Sequence, residues 1–199
     1  ANVAVLLTSL LLFALIVNQH YQFRPTVGSL FGAAVDVTLD ESAPTQKQSS
    51  SYAEDTFTPL AGQPQKGELR KFVAASSDAK YQPREGRVYV PPAAVNDTSI
   101  RLPVMVLLHG YPGGPIDWVN GGGIKDVMDS FSQKHRGLAP IVVMPDYNGV
   151  KNNDTECVNS PIFGRVENYL TIDVPRAIRD QLPQASRDSR AWTIAGYSA

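Results

Sequence analysis

The stretch WTIAGYSA, residues 192–199, decides the fold that this sequence predicts. Its first half, residues 192–195, is mainly apolar and is typical of a short buried strand. Its second half, GYSA, matches the first four positions of a G-x-S-x-G turn, with Ser198 in the serine position. Small residues let such a turn follow directly on a strand. We therefore expect the Ser198 side chain at the C-terminal edge of a sheet.

GYSA by itself allows two interpretations. In the first, Ser198 is the nucleophile of an α/β-hydrolase, and the chain stops where the closing glycine of the turn is expected, so that it is a fragment ending at the nucleophile elbow. In the second, the four residues form a turn of no functional consequence. The sequence upstream favours the first interpretation.

A second motif, HGYPGG at residues 109–114, follows the apolar run at residues 103–108. A serine nucleophile needs two donors for the oxyanion of its tetrahedral intermediate. In α/β-hydrolases these are the N–H after the nucleophile and an N–H from the loop after the third strand. The sequence predicts the backbone amides of Ala199 and Tyr111, because Pro112 has no N–H. Four other residues are expected to shape this loop: His109, Gly110, Gly113 and Gly114. The alternative is an ordinary glycine-rich turn.

The order of apolar patterns predicts the fold class. Strands are predicted near residues 69–73, 87–90, 103–108, 141–144 and 192–195. Helices are predicted at residues 124–135 and 166–182, the second kinked or divided at Pro175. Strands alternating with helices indicate an α/β fold with a mostly parallel sheet, which here is the N-terminal half of an α/β-hydrolase domain.

The N-terminal region has a different composition. Residues 3–17 are apolar except for Thr8 and Ser9, which favours the end of a truncated transmembrane helix over a signal-peptide core or a buried helix. Serine, proline, threonine and glutamine dominate the following segment, which is typical of a linker. The predicted domains are a transmembrane segment at 1–24, a juxtamembrane region and linker at 25–66, and an esterase domain, incomplete at its C-terminus, at 67–199.

Charge and cysteine content restrict the functional classes. The net charge is −1 and no basic run is present, which argues against nucleic-acid binding. The single cysteine, Cys157, excludes a disulfide within these 199 residues. It is expected either to pair with a cysteine beyond residue 199 or to remain a free thiol.

Residues 67–199 resemble the esterase family that contains esterase D, feruloyl esterases and the mycobacterial mycolyltransferases. The matching pieces are VMVLLHGYPGG, IVVMPD, ENYLTIDVPRAI and IAGYSA, at residues 104–114, 141–146, 167–178 and 194–199. The resemblance implies a Ser-His-acid hydrolase or acyltransferase without a metal or organic cofactor. The apolar start and the linker resemble actinobacterial members with transmembrane helices ahead of the esterase domain.

The remaining triad members are expected outside these residues. The acid and the histidine follow the nucleophile in this fold, so both are expected beyond residue 199. His20, His109 and His135 all precede Ser198 and are not expected to serve as the base. The 199-residue chain alone is therefore predicted to be inactive.

A loop of about twenty residues, 145–164, follows the predicted strand at residues 141–144. Ligands bind beyond the C-terminal ends of strands in α/β sheets, so Asp146 and Tyr147 are expected to line the acyl or leaving-group site. A solvated loop in which Asp146 caps nearby amides is the alternative. Trp118 has two interpretations: it forms a wall of the same site, or it is an ordinary packed tryptophan.

Three functions fit these patterns. The first is a membrane-anchored serine esterase that acts on a small-molecule or envelope ester, with its catalytic domain outside the cytoplasm. The second is an acyltransferase to an envelope sugar, which would use the same acyl-enzyme. The third is a non-catalytic hydrolase-like domain for interactions at the cell envelope.

Overall fold

The computed structural model describes residues 2–21 and 57–198. The chain divides into two units, residues 1–49 and residues 50–199, and each is described by itself. The predicted oxyanion donor Ala199 lies outside the described residues. The same holds for residues 22–56, which include most of the predicted linker.

The first unit contributes one helix, α1 (Asn2–Tyr21). Its described side chains are exposed, including Leu6 at 70% and Phe13 at 66%. The predicted transmembrane segment at 1–24 is nevertheless not supported, because no helix in the described part of the chain combines the length and apolarity of a membrane span. The apolar run at residues 3–17 has fifteen residues, whereas a span needs about 20.

The second unit is built on a five-stranded sheet. Its strands are β1 (Glu68–Phe72), β2 (Gly86–Val90), β3 (Val104–Leu108), β4 (Ile141–Met144) and β7 (Trp192–Gly196), in the spatial order β1-β2-β4-β3-β7. A separate two-stranded hairpin pairs β5 (Asn159–Ser160) with β6 (Gly164–Arg165). All five predicted strands are confirmed.

Four of the five strands of the main sheet run in the same direction. β3 pairs in parallel with both β4 and β7, whereas β2 is antiparallel to its neighbours β1 and β4. The sheet is thus mixed with a mostly parallel arrangement, as the sequence predicts. As a result, the C-terminal ends of β3, β4 and β7 meet at one edge of the sheet.

Helices cover both faces of this sheet. They are α2 (Pro92–Val95), α3 (Asp117–Asn120), α4 (Ile124–Lys134), α5 (Val166–Asn168) and α6 (Val174–Gln181), with a short 3₁₀ turn at Ser189–Ala191. β4 shows why both faces need cover, because all four of its residues are buried. Ile141 and Val143 pack with Ile178 of α6, whereas Val142 and Met144 pack with Ile124 of α4. This three-layer arrangement explains the continuous apolar runs in the sequence.

The helix predicted at residues 166–182 is divided, as Pro175 indicated. A π-helical turn, Tyr169–Asp173, lies between α5 and α6. Pro175 falls in the first turn of α6, where the missing N–H costs no helical hydrogen bond. The π-helical turn, which is wider than an α-helical one, lies where regular α-helical hydrogen bonding is interrupted ahead of Pro175.

The prediction that β7 is buried is wrong. Trp192 is half-buried, and the other four residues are exposed, with Ile194 at 64%. The reason is topological, because β7 is at the edge of the sheet among the described strands and pairs only with β3. Apolar composition alone does not distinguish an edge strand from a central one.

Part of the predicted linker packs on the loop after α4 within the second unit. The Gln63 side chain donates a hydrogen bond to the Arg136 carbonyl at 3.0 Å, and the Arg136 guanidinium donates to the Phe57 carbonyl at 3.2 Å. The described residues 57–66 therefore lie against the loop after α4, ahead of the boundary predicted at residue 67.

Candidate active site

Ser198 stands at a sharp turn directly after β7. β7 ends at Gly196, and Ser198, two residues later, has a φ of 50°. This left-handed conformation is uncommon for residues other than glycine and is characteristic of the strained strand-to-helix turn that presents a nucleophile. Ser198 is exposed, so its side chain is accessible from solvent.

The HGYPGG loop lies against this turn. Leu108 at the end of β3 pairs with Gly196 at the end of β7, so the loops that follow the two strands start at the same level. A methyl group on Gly110 would lie 3.2 Å from Ser198 Cβ and 3.0 Å from the Tyr197 ring. A side chain at residue 110 would therefore be crowded by the serine turn, and glycine lets the loop lie this close to Ser198.

The backbone amide of Tyr111, one of the two predicted oxyanion donors, points toward the same turn. It donates a hydrogen bond of 3.2 Å to the Ser198 carbonyl. In this structure the amide is therefore already engaged, and it becomes available to an oxyanion only when that bond opens. The Tyr111 side chain is 41% exposed at the mouth of the site.

Trp118 stands beside the serine turn. Its ring packs edge-on against the Tyr197 ring, with a centroid separation of 5.0 Å. Its indole N–H donates to the Leu108 carbonyl at 3.1 Å, which fixes the ring at the end of β3. Trp118 is half-buried and so combines packing with a place at the edge of the site.

One hydrogen bond and one close backbone approach restrict the shape of the loop. The Gly114 amide donates to the Asp117 carboxylate at 2.8 Å. A methyl group on Gly113 would lie 2.5 Å from that carboxylate and 2.7 Å from the Gly110 carbonyl oxygen. The loop therefore has no space for a side chain at Gly113.

Asp146 and Tyr147 lie beneath the loop at residues 109–114, and their burial does not support direct contact with a substrate. The two residues are 0% and 1% exposed. The Tyr147 hydroxyl donates to the His109 carbonyl, and burial raises the pKa of this tyrosine to about 12, so it stays protonated as a donor at neutral pH. The sequence placed both residues correctly after β4 but could not show that they turn inward.

His109 belongs to this buried layer as well. Its ring stacks on the Tyr147 ring with a centroid separation of 4.5 Å and is fully buried. Its Nδ1 contacts the Gly110 carbonyl at 2.9 Å, and because a carbonyl only accepts, Nδ1 carries the hydrogen. Its Nε2 lies 3.3 Å from Asp146 Oδ1, within electrostatic reach but without hydrogen-bond geometry. His109 thus contacts the loop at residues 109–114 from its buried side and faces away from solvent.

Arg84 completes the layer and was not identified from the sequence. Its Nε and Nη2 donate to Asp146 Oδ1 at 3.0 Å and 2.6 Å, and its backbone amide donates to Oδ2 at 2.8 Å. The Gly149 amide donates to the same Oδ2 at 2.8 Å. Burial by itself raises the pKa of Asp146, but the hydrogen bonds from the guanidinium and the backbone amide of Arg84 outweigh burial and hold this pKa well below its usual range. Asp146 is therefore a buried carboxylate.

The loop at residues 145–164 lines a cavity of about 290 Å³ together with residues 79–82. Asn148 and Gly149 contribute to its wall, whereas Asp146 and Tyr147 do not. Cys157 in the same loop is half-buried and free, and burial raises the pKa of its thiol to about 11. At neutral pH this thiol is protonated and a poor nucleophile.

No histidine hydrogen-bonds to the Ser198 hydroxyl within residues 57–198. His109 faces Asp146, and the ring of His135 stacks on Phe131 at 4.1 Å after the end of α4. In the same residues and in α1, no cluster of three or more acidic, histidine or cysteine side chains is arranged to bind a metal ion. The described site therefore contains the serine and its surrounding loops without a general base.

Comparison with known proteins places this geometry in context. The chain is 32% identical over 189 residues to an uncharacterized protein of Corynebacterium glutamicum. The match covers 93% of this chain and 42% of that protein, so the chain spans less than half the length of this relative. No protein-family model matches the chain.

A solved structure of a ferulic acid esterase shares the fold. It superposes with a TM-score of 0.57 at 21% identity, over 66% of this chain and 48% of its own. A second, the CE1 ferulic acid esterase of Anaeromyces mucronatus, gives a TM-score of 0.49 at 15% identity, over 70% of this chain and 52% of its own. The chain therefore has the mixed α/β fold, with a mostly parallel central sheet, that the first of these esterases shows.

Proposed function

We propose that this chain carries the nucleophile half of a serine esterase, with Ser198 as the acylated residue. The observation that carries the proposal is the left-handed backbone of Ser198, φ 50°, directly after β7 and in contact with the loop that follows β3. The strained turn at this place is not explained by burial of its side chain, because Ser198 is exposed. It does present a hydroxyl beside a loop of backbone amides, which acyl transfer requires.

The reaction then proceeds through an acyl-enzyme. Ser198 Oγ forms a bond to the ester carbonyl carbon while its proton passes to a base, and the carbonyl oxygen becomes an oxyanion. Collapse of the intermediate breaks the bond to the alcohol, which leaves with that proton. Water then attacks the acyl-serine and releases the acid. In this proposal the base and its acid partner come from residues outside those described here.

Carboxylic esters of small alcohols or of cell-envelope components are the proposed substrates, and feruloyl esters are included because fold neighbours are ferulic acid esterases. An acyltransferase differs only in the acceptor, since an alcohol replaces water at deacylation. Adding a sugar acceptor to the assay distinguishes the two, because transfer gives a new ester rather than the free acid. We also propose that the catalytic domain lies outside the cytoplasm.

The Tyr111 amide is the donor that the proposal assigns to the oxyanion. Changing Tyr111 to Phe in the full-length protein keeps this N–H and is expected to leave kcat nearly unchanged. Changing Tyr111 to Pro removes the N–H and is expected to lower kcat on the order of 10²-fold or more. Steady-state hydrolysis of p-nitrophenyl esters measures both, with circular dichroism as the check on folding. A folded Tyr111→Pro protein with normal kcat would exclude this amide.

The described histidines lead to a second prediction. Because neither His109 nor His135 contacts Ser198, residues 57–198 supply no histidine base, and the hydroxyl is expected to stay a weak nucleophile. The purified 199-residue chain is therefore expected to hydrolyse p-nitrophenyl esters no faster than its own Ser198→Ala variant. Turnover that disappears in the variant would show that a base is already present in these residues.

A further inference from the structure

Arg84 joins two parts of the site that are far apart in the sequence. Its Nη2 donates both to Asp146 Oδ1 at 2.6 Å and to the Gly113 carbonyl at 2.8 Å. Its Nε makes a second bond to the same carboxylate oxygen at 3.0 Å. One guanidinium thus connects the loop after β4 to the loop after β3, across 62 and 29 residues of sequence.

Arg84 reaches the oxyanion loop, residues 109–114, at the Gly113 carbonyl. Gly113 is packed so closely that a methyl group on it would lie 2.7 Å from the Gly110 carbonyl oxygen. Gly110 in turn is in contact with Ser198. A displacement of Gly113 is therefore transmitted to Gly110 and Tyr111, and it changes the distance between the amides of the loop and the serine turn.

The other end of the connection is fixed. Asp146 is fully buried and also accepts the backbone amides of Arg84 and Gly149, both at 2.8 Å. The Arg84 side chain is 32% exposed and lies against this carboxylate. Its charge is neutralised there, so its field at the serine is small, and its effect on the site is geometric.

We infer that Arg84 is a positioning residue of the proposed esterase reaction, which holds the oxyanion loop against the Ser198 turn by binding Asp146 and the Gly113 carbonyl together. The inference rests on the proposed function. It adds a residue that touches neither the serine nor an ester and acts through the backbone of the loop.

The planar fork of arginine is what this role requires. Three N–H bonds leave one guanidinium in two directions, toward Oδ1 and toward the Gly113 carbonyl. A lysine ammonium is a single point at the end of a flexible chain and does not reproduce this fork. Arg84→Lys keeps the charge beside Asp146 and loosens the loop, which makes it the most informative variant.

We expect Arg84→Lys in the full-length protein to lower kcat on the order of 10- to 100-fold, because displacements of about 1 Å in a reacting geometry have effects of this size. The KM is expected to stay within a factor of about two, since substrate binding in the ground state does not use the oxyanion donors. Arg84→Gln keeps amide donors without charge and provides a second variant if the lysine form does not fold.

Arg87 supplies the matched control. It lies three residues away, and its guanidinium contacts Glu85 and the Gly86 carbonyl without reaching the oxyanion loop. Arg87→Lys is expected to leave kcat and KM unchanged. All variants are compared by kcat, KM, thermal midpoint and inhibition by an alkyl boronic acid, which forms a tetrahedral adduct with a nucleophilic serine.

The boronic acid separates positioning from simple loss of stability. If Arg84 positions the loop, the inhibition constant of the boronic acid rises in the Arg84 variants by about the same factor as kcat falls, while KM stays unchanged. Unchanged kcat and boronic acid inhibition in folded Arg84→Lys and Arg84→Gln would overturn the inference. So would a loss of kcat without any loss of boronic acid affinity. Absence of Ser198-dependent turnover in the wild-type protein would instead overturn the proposed function itself.

Discussion

Replacing Ser198 by alanine in the full-length protein is expected to lower kcat on the order of 10³-fold or more. The variant lacks the oxygen that attacks the ester carbonyl, so no acyl-enzyme forms. Residual turnover would come from water attack at a site that still binds substrate and stabilises the oxyanion. The KM is expected to change little, because Ser198 is an exposed residue at the end of a turn and its hydroxyl makes no hydrogen bond in the described structure.

Ser189 provides the matched control for this prediction. It is also an exposed serine, but it lies in the 3₁₀ turn ahead of β7, at the opposite end of that strand from Ser198. Ser189→Ala is therefore expected to retain full activity. Both variants should unfold at the wild-type temperature, since neither hydroxyl is buried.

Covalent labelling tests the same assignment without a substrate. A fluorophosphonate probe reacts with an activated serine and stays attached, and peptide mapping then locates it. Attachment at Ser198, absent in Ser198→Ala and retained in Ser189→Ala, is the expected result. Attachment at another serine, together with activity that survives in Ser198→Ala, would remove the central proposal. A wild-type protein that neither labels nor turns over would favour the non-catalytic interaction domain.

The sequence was sufficient for the elements that local patterns determine. β4 is buried on both faces, and its four apolar residues predict the strand to the residue. The turn at Ser198 is visible because Gly196 and Ala199 match the small positions of the motif, and the loop at residues 109–114 is visible because its glycines follow a buried strand. In each case the pattern lies within about six adjacent residues.

Features that depend on partners distant in the sequence were less accessible. β7 is exposed because no described strand pairs with its outer edge, and the composition of residues 192–196 does not indicate whether such a partner exists. Asp146 looks like a loop residue near a ligand site, yet Arg84 binds it from 62 residues away. Arg84 itself carries no local signal, since an arginine between Pro83 and Glu85 is ordinary for a surface loop. Such pairings become visible only when the sheet brings their loops together.

The buried position of Asp146 leads to the last prediction, which concerns stability. Asp146→Asn is expected to destabilise the domain by about 3 kcal/mol, the low end of the range for removing one partner of a buried ion pair. The Asp146 side chain is 0% exposed, so solvent does not screen its interaction from that side. The asparagine amide also turns two donor hydrogens toward atoms that already donate, either the Arg84 guanidinium or the backbone amides of Arg84 and Gly149.

The same interaction makes the stability of the domain dependent on pH. The hydrogen bonds from Arg84 lower the pKa of Asp146 in the folded state despite burial, whereas in the unfolded chain this pKa is about 3.9. A lowered folded pKa means that the stabilisation is present above about pH 4 and is lost as the pH falls below it toward the folded pKa. The wild-type protein is therefore expected to lose its advantage over Asp146→Asn progressively in acid.

Urea unfolding of the full-length protein at pH 7 and at pH 3 measures this advantage directly. The difference in free energy of unfolding between wild type and Asp146→Asn should be large at pH 7 and smaller at pH 3. Asp188→Asn is the control, because Asp188 forms the same kind of pair with Arg190 but both side chains are exposed, at 46% and 81%. Asp188→Asn should leave the urea midpoint unchanged, since exposed ion pairs contribute little to the free energy of unfolding. A difference for Asp146→Asn that is equal at the two pH values would show that its carboxylate does not carry the stabilising charge.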